Sequence, residues 1–125
     1  MTENEISYLI RGCVFKVFNN LGPGLLESAY ERALSSELTE IGISFKTQVS
    51  LPMIYKGINI NAGYRLDFVV EDKVIIEVKS VEALLDVHHK QLITYLQLSG
   101  MKLGLLVNFN TAEISKNIIR KVNGL

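Results

Sequence analysis

Hydrophobic positions in this chain recur first at a helical period, then at a strand period, then at each in turn. Thr2 and Glu5 stand at capping-box spacing, and Ile6, Leu9, Ile10, Cys13, Val14, Val17 and Leu21 follow three and four apart. This predicts a first helix. Residues 19–24 interrupt it, and Pro23 suits the first turn of a second helix running to about Ile41. The apolar stripe of that helix is Leu26, Ala29, Tyr30, Ala33, Leu34, Leu38 and Ile41, with Gly42 as its stop signal. Residues 43–51 then alternate. Ile43, Phe45, Val49 and Leu51 should point one way, and Ser44, Lys46, Gln48 and Ser50 the other. Pro52 ends that strand, and residues 53–55 and 58–60 flank Lys56-Gly57, which reads as a hairpin turn. The connector Asn61-Ala62-Gly63 leads to two richer strands, 64–71 and 73–80.

After a connector over residues 80–86, a helix over 87–98 should place His88, Gln91 and Tyr95 on one side. Leu92, Leu96 and Ile93 would supply its core side. Residues 102–109 form an apolar run that suits a strand buried on both faces. Residues 111–122 are expected to be a last helix ending before Gly124. The order of elements implies an α/β fold, a mixed central β-sheet flanked by α-helices, in a single domain over residues 1–125.

The candidate chemistry lies in YRLDFVVEDKVIIEVK, residues 64–79. By alternation Leu66, Phe68 and Val70 share one face with Val74, Ile76 and Val78. Asp67, Glu77 and Lys79 are left together on the other, with Val69 and Ile75. Two carboxylates and an amine on a partly covered face cost desolvation energy unless something pairs them, and a divalent metal with a phosphate would do so. For Asp67 and Glu77 to face the same way, the loop between the strands must have an odd length, or a bulge must sit beside Asp67. A two-residue turn at Glu71-Asp72 would separate them.

Composition narrows the classes. Thirteen basic and thirteen acidic residues give a formal net charge of zero, which argues against tight non-specific polyanion binding but allows a local basic patch. Cys13 is the only cysteine, so an internal disulfide is excluded, and its place in an apolar stripe suits a small core residue. No signal peptide or membrane-spanning run is visible, so a cytoplasmic location is expected.

The stretch Gly24-Leu25-Leu26-Glu27-Ser28-Ala29-Tyr30 resembles the signature of the GxxExxY proteins, a prokaryotic family within the PD-(D/E)XK nuclease superfamily. The resemblance extends through YKG, GYRLDFVVEDKVIIEVKS, QLITYLQLSG and LGLLVNFN, nearly the whole chain. Phe18 and Lys16 depart from the histidine and the acidic residue frequent in that family. The resemblance implies a restriction-endonuclease-like core and metal-dependent hydrolysis of phosphodiester bonds, with DNA ahead of RNA as substrate. It implies Asp67, Glu77 and Glu27 as ligands of Mg2+ (or Mn2+), Lys79 as the residue that orients or activates the attacking water, and Gln91 and Tyr95 beside them in the catalytic site. Related small resolvases act as dimers, so a homodimer is expected. Two alternatives stay open: a non-catalytic nucleic-acid- or protein-binding module of the same fold, and a protein acting on nucleotides or other small phosphoesters.

Overall fold

The computed structural model describes residues 1–61 and 63–125; Ala62, in the expected connector, lies outside the described residues. Helix α1 (Glu3–Leu21) begins on the capping box. The Glu5 N–H donates to Thr2 Oγ1 at 3.2 Å and the Thr2 N–H to Glu5 Oε1 at 3.1 Å. Its buried face is Ile6, Ile10, Cys13, Val14 and Val17. Helix α2 (Glu27–Glu40) starts later than the sequence suggests: Pro23 stays in the connector and Leu26 is the N-cap, without a side-chain cap. Tyr30 explains the later start. Its hydroxyl donates to the Gly22 carbonyl at 2.5 Å and accepts from the Leu25 N–H at 3.2 Å, so it closes the connector on itself.

Strands β1 (Phe45–Ser50), β4 (Arg65–Val70), β5 (Val74–Lys79), β6 (Leu103–Asn108) and β7 (Ile118–Val122) form one mixed sheet in the order β1-β4-β5-β6-β7. Strands β2 (Ile54–Tyr55) and β3 (Ile58–Asn59) pair only with each other. Helix α3 (Asp86–Ser99) connects β5 to β6, which run parallel; the other neighbours in the sheet are antiparallel. The first core lies between the sheet and the α1–α2 pair, around Tyr30, Leu34, Phe68, Ile76 and Val78. The second lies under α3, around Val69, Ile75, Leu92, Leu96 and Leu106. Gly104 lets α3 approach the sheet, because a Cβ there would stand 2.8 Å from Leu92 Cδ1. No helix among the described residues is long and apolar enough to cross a membrane.

Three expectations are corrected. Residues 111–122 are not a helix but a 3-10 turn (Ile114–Lys116) followed by β7. Ile114 and Ile118 do both reach the first core, which is why their spacing reads as helical. Asn117 instead donates to Thr111 Oγ1 at 2.9 Å and to the Glu113 carbonyl at 3.1 Å, which fixes a turn, and the β-branched residues after it extend along β6. On α3, Tyr95 is buried and Ile93 is exposed, the reverse of the expected sides. Strict alternation also fails in β1 and β4. Ile43, Phe45, Phe68 and Val70 join the first core, but Val49, Leu51 and Leu66 join the second. The exchange falls between Thr47↔Phe68 and Val49↔Leu66, where Gln48 adopts φ +50° opposite Asp67.

Candidate active site

The β4–β5 register is Val70↔Val74, Val69↔Ile75 and Phe68↔Ile76, closed by a three-residue loop, Glu71-Asp72-Lys73. Both Glu71 and Asp72 take positive φ, +53° and +55°. The odd loop length is the one that brings Asp67 opposite Glu77. Beyond Phe68↔Ile76 the ladder gives way to side-chain bonds. Asp67 Oδ2 accepts from the Val78 N–H at 2.9 Å, and Glu77 Oε1 accepts from the Asp67 N–H at 3.3 Å. The two carboxylates therefore replace backbone partners at a gap in the sheet, and they lie within hydrogen-bonding reach of each other.

Glu77 is 4 % exposed. Burial, then the charge of Asp67, pushes its carboxyl up to about 9, against the opposing pull of Lys79. Lys79 is half-buried and faces Asn108 across the parallel β5–β6 pair. Asn108, 1 % exposed, donates to the Val81 carbonyl at 3.0 Å and accepts from the Val81 N–H at 3.1 Å. That clamp holds the chain just after Lys79 against the end of β6.

From α2, Glu27 reaches the same end of β5: its Oε2 accepts from the Ser80 N–H at 3.1 Å. Ser80 Oγ donates in return to the Leu25 carbonyl at 2.6 Å. The α2 carboxylate that meets Asp67 is Glu31, one turn further on. Burial, then the charge and hydrogen bond of Asp67, then Glu27, raise it to about 7, while Lys79 opposes. Sequence reasoning missed Glu31. The signal was its spacing of four from Glu27, which puts both on one helix face. Tyr95, on α3, packs its ring 5.8 Å from that of Tyr64. Its phenol is raised by burial and then by the charges of Glu77 and Asp67, so it keeps its proton as a donor. Gln91 lies half-buried one turn before Tyr95 and makes no side-chain hydrogen bond among the described residues.

Beside Asp67 is a cavity of about 290 Å³ bounded by Ser28, Glu31, Arg32, Thr47 and Gln48. Ser28 and Arg32 also border a wider hollow of about 630 Å³ at the start of α2. The structure thus brings together Asp67, Glu77, Glu31 and Lys79, with Glu27 at the end of β5 and Tyr95 on the α3 side. A cleft of about 380 Å³ along α1, at Tyr8, Arg11 and Phe15, is unconnected with this chemistry and has no acidic residue in its lining.

The family model of the PD-(D/E)XK nuclease superfamily matches residues 4–121. The chain belongs to the PD-(D/E)XK nuclease superfamily. The mixed five-stranded sheet with helices on both faces is its restriction-endonuclease-like α/β architecture. No curated protein and no solved structure matched the chain. PD-(D/E)XK nucleases generally use divalent metals. The donor chemistry here fits one. Magnesium takes oxygen ligands and is commonly held by only one or two carboxylates, because it keeps several waters. Asp67 and Glu77 supply two adjacent carboxylates; among the described residues no three acidic, histidine or cysteine donors already converge at ligand spacing. Burial, and after it the charge of Asp67, favours protons on Glu77 and Glu31, and a bound cation would offset both.

Proposed function

We propose that this chain is a magnesium- or manganese-dependent nuclease of the GxxExxY type, acting as a single domain on nucleic acid, with DNA ahead of RNA. The reading rests above all on Asp67 and Glu77, two carboxylates in mutual reach at a break in the sheet, with Lys79 next along the strand. Asp67 and Glu77 would hold the ion. A carboxylate of α2 would complete the set, either Glu27 or Glu31, and the contact of Glu31 with Asp67 favours the latter. When bound, the ion supplies Lewis-acid polarisation of a phosphoryl oxygen and a lowered pKa for water. Lys79 offers a fixed positive charge to the negative charge that builds on the phosphoryl group. Tyr95 offers a protonated phenol from the α3 side, and Gln91 a neutral amide one turn away. Asn108 and Glu27 keep the end of β5 in place, and so position Lys79. The hollow along Ser28 and Arg32 would take the phosphate backbone on its way to Asp67, with Arg32 as its cation.

A homodimer would offer one such site to each strand of a duplex. The deciding experiment is hydrolysis of linear DNA, RNA and free nucleotides with magnesium or manganese. Cleavage of polymer that is lost in Glu77→Gln and Lys79→Ala supports this reading. Cleavage of free nucleotides alone would move it to the small-phosphoester class.

A further inference from the structure

We propose that the segment carrying β2 and β3 is a β-ribbon arm that enters the major groove of duplex DNA beside the cleavage site. The inference rests on the nuclease reading above and adds the element that would grip the substrate. The arm continues the β1–β4 pair. The Leu51 N–H donates to the Tyr64 carbonyl at 2.9 Å, in the register of Ser50↔Arg65, and the Ile60 N–H donates to the Met53 carbonyl at 3.0 Å. Ile54↔Asn59 and Tyr55↔Ile58 follow, and Lys56-Gly57 turns the chain with φ of +50° and +78°, the backbone of a tight hairpin. The ribbon therefore leaves the sheet at its Ser50/Arg65 end. Arg65 is two residues from Asp67, so that end is where the candidate site lies.

Pairing places Met53, Tyr55, Ile58 and Ile60 on one face of the ribbon. Tyr55, Ile58 and Ile60 are 58 %, 65 % and 47 % exposed. A contiguous apolar face this open is a binding surface. Charge identifies the occupant. The ribbon itself, residues 51–64, carries Lys56 and no acid, and Arg65 stands at its root in β4; Lys46 lies at the other end of β1, opposite Val69. Lys46 pairs with Asp72 at 3.6 Å, but neither Lys56 nor Arg65 has a salt bridge among the described residues. Lys56 Nζ sits 5.5 Å above the Tyr55 ring at the tip. An acid-free ribbon with a cation at its tip, another at its root and an apolar side between them suits phosphates at its two ends and thymine methyls or base edges beneath. From Leu51 to the turn it reaches roughly 20 Å at about 3.3 Å per residue, and a major groove about 12 Å wide admits a two-stranded ribbon.

The test is fluorescence anisotropy of a labelled 30-base-pair DNA duplex against the full chain carrying Glu77→Gln, which silences cleavage. Tyr55→Ala with Ile58→Ala should weaken binding about tenfold or more. Lys56→Ala should weaken it severalfold and reduce the slope of log affinity against log salt by about one. The metal-dependent rise in thermal midpoint, measured in the chain without Glu77→Gln, should be unchanged by these arm substitutions, which shows that the fold and site are intact. If the duplex binds parent and arm variants equally, the arm proposal fails while the nuclease reading stands. Loss of a dimer with no loss of DNA affinity would assign the apolar face to a second copy and overturn it too. If the duplex binds neither the parent nor the arm variants, the arm proposal falls, and the nuclease reading is decided separately by the hydrolysis of DNA and RNA.

Discussion

Asp67 and Glu77 each hold the other's strand: Asp67 Oδ2 takes the N–H of Val78, and Glu77 Oε1 takes the N–H of Asp67. This exchange joins β4 to β5 where the regular ladder has ended. It also forces two carboxylates into contact within a largely buried site, and the consequence is a proton retained on Glu77.

That proton makes metal-free stability depend on pH. Glu77 rises from an ordinary 4.5 to about 9 in the folded chain, by burial and the charge of Asp67. The folded state thus binds a proton that the unfolded chain releases. Its stabilising contribution is full below about pH 4.5 and is lost progressively as pH climbs to about 9. Glu31 acts with the same sign between 4.5 and about 7. The thermal midpoint in chelator should fall from pH 5 to pH 9, and Glu77→Gln should remove most of that fall. An identical slope in the variant would show that Glu77 is not the group that titrates.

Magnesium or manganese should raise the midpoint, because an ion that binds only the folded state stabilises it. Binding must displace protons from Glu77 and Glu31, so the rise should be larger at pH 8 than at pH 6. Asp67→Asn and Glu77→Gln should each abolish it, and Lys79→Ala should keep it while losing cleavage. A full metal response in Asp67→Asn would favour the non-catalytic binding module.

Tyr30 should matter through its hydroxyl. The ring stacks on Phe109 with centroids 4.4 Å apart, and the hydroxyl bonds to Gly22 and Leu25. Tyr30→Phe keeps the stack but leaves a part-buried carbonyl and an N–H without that partner, at about 1 kcal/mol. Because Leu25 also receives the Ser80 hydroxyl, the connector between α1 and α2 should loosen at the site end. Calorimetry should give a midpoint several degrees lower, and cleavage should fall more than the unfolded fraction explains.

Gly104 is a packing requirement. A Cβ there meets Leu92 Cδ1 at 2.8 Å and Cγ at 3.1 Å, and Leu92 is wholly buried between α3 and the sheet. Gly104→Ala should cost about 1 to 3 kcal/mol by overpacking, read as a lower denaturant midpoint with an unchanged slope. Stability equal to the parent's would mean that α3 can shift freely on β6.

The sheet and its helices were legible because long periodic runs state both period and length. The loop between β4 and β5 was legible through parity alone, since only an odd length serves Asp67 and Glu77 together. Three things lay beyond the pattern. Residues 114–122 carry apolar side chains at helical spacing, but Asn117 diverts the backbone into a turn, and only the neighbouring β6 reveals the strand. The change of faces at Gln48 and Asp67 depends on one backbone angle, which alternation does not encode. Asn108 reads as an ordinary polar residue ending a strand; its clamp on Val81 is a contact across the β5–α3 crossover.

The two glutamates of α2 can be told apart by the sign of their effects. Glu27 gives an oxygen to the Ser80 N–H and so supports the chain after Lys79. Glu31 is disfavoured in its ionised form by burial and then by the charge of Asp67. Removing the Glu31 charge should therefore relieve repulsion: at pH 8 in chelator, Glu31→Gln should melt higher than the parent. The same substitution should weaken manganese binding by about tenfold or more, because an anionic oxygen beside Asp67 is lost. Glu27→Ala should instead melt lower in chelator, since it leaves the Ser80 N–H without its partner, at about 1 to 3 kcal/mol. Glu27→Gln, whose amide oxygen can still accept that bond, should recover most of the loss. Titration calorimetry with manganese and melting in chelator measure both quantities on the same samples. If Glu27→Gln, rather than Glu31→Gln, raises the chelator midpoint and weakens the metal, then Glu27 is the α2 ligand and the contact between Glu31 and Asp67 is bystander electrostatics.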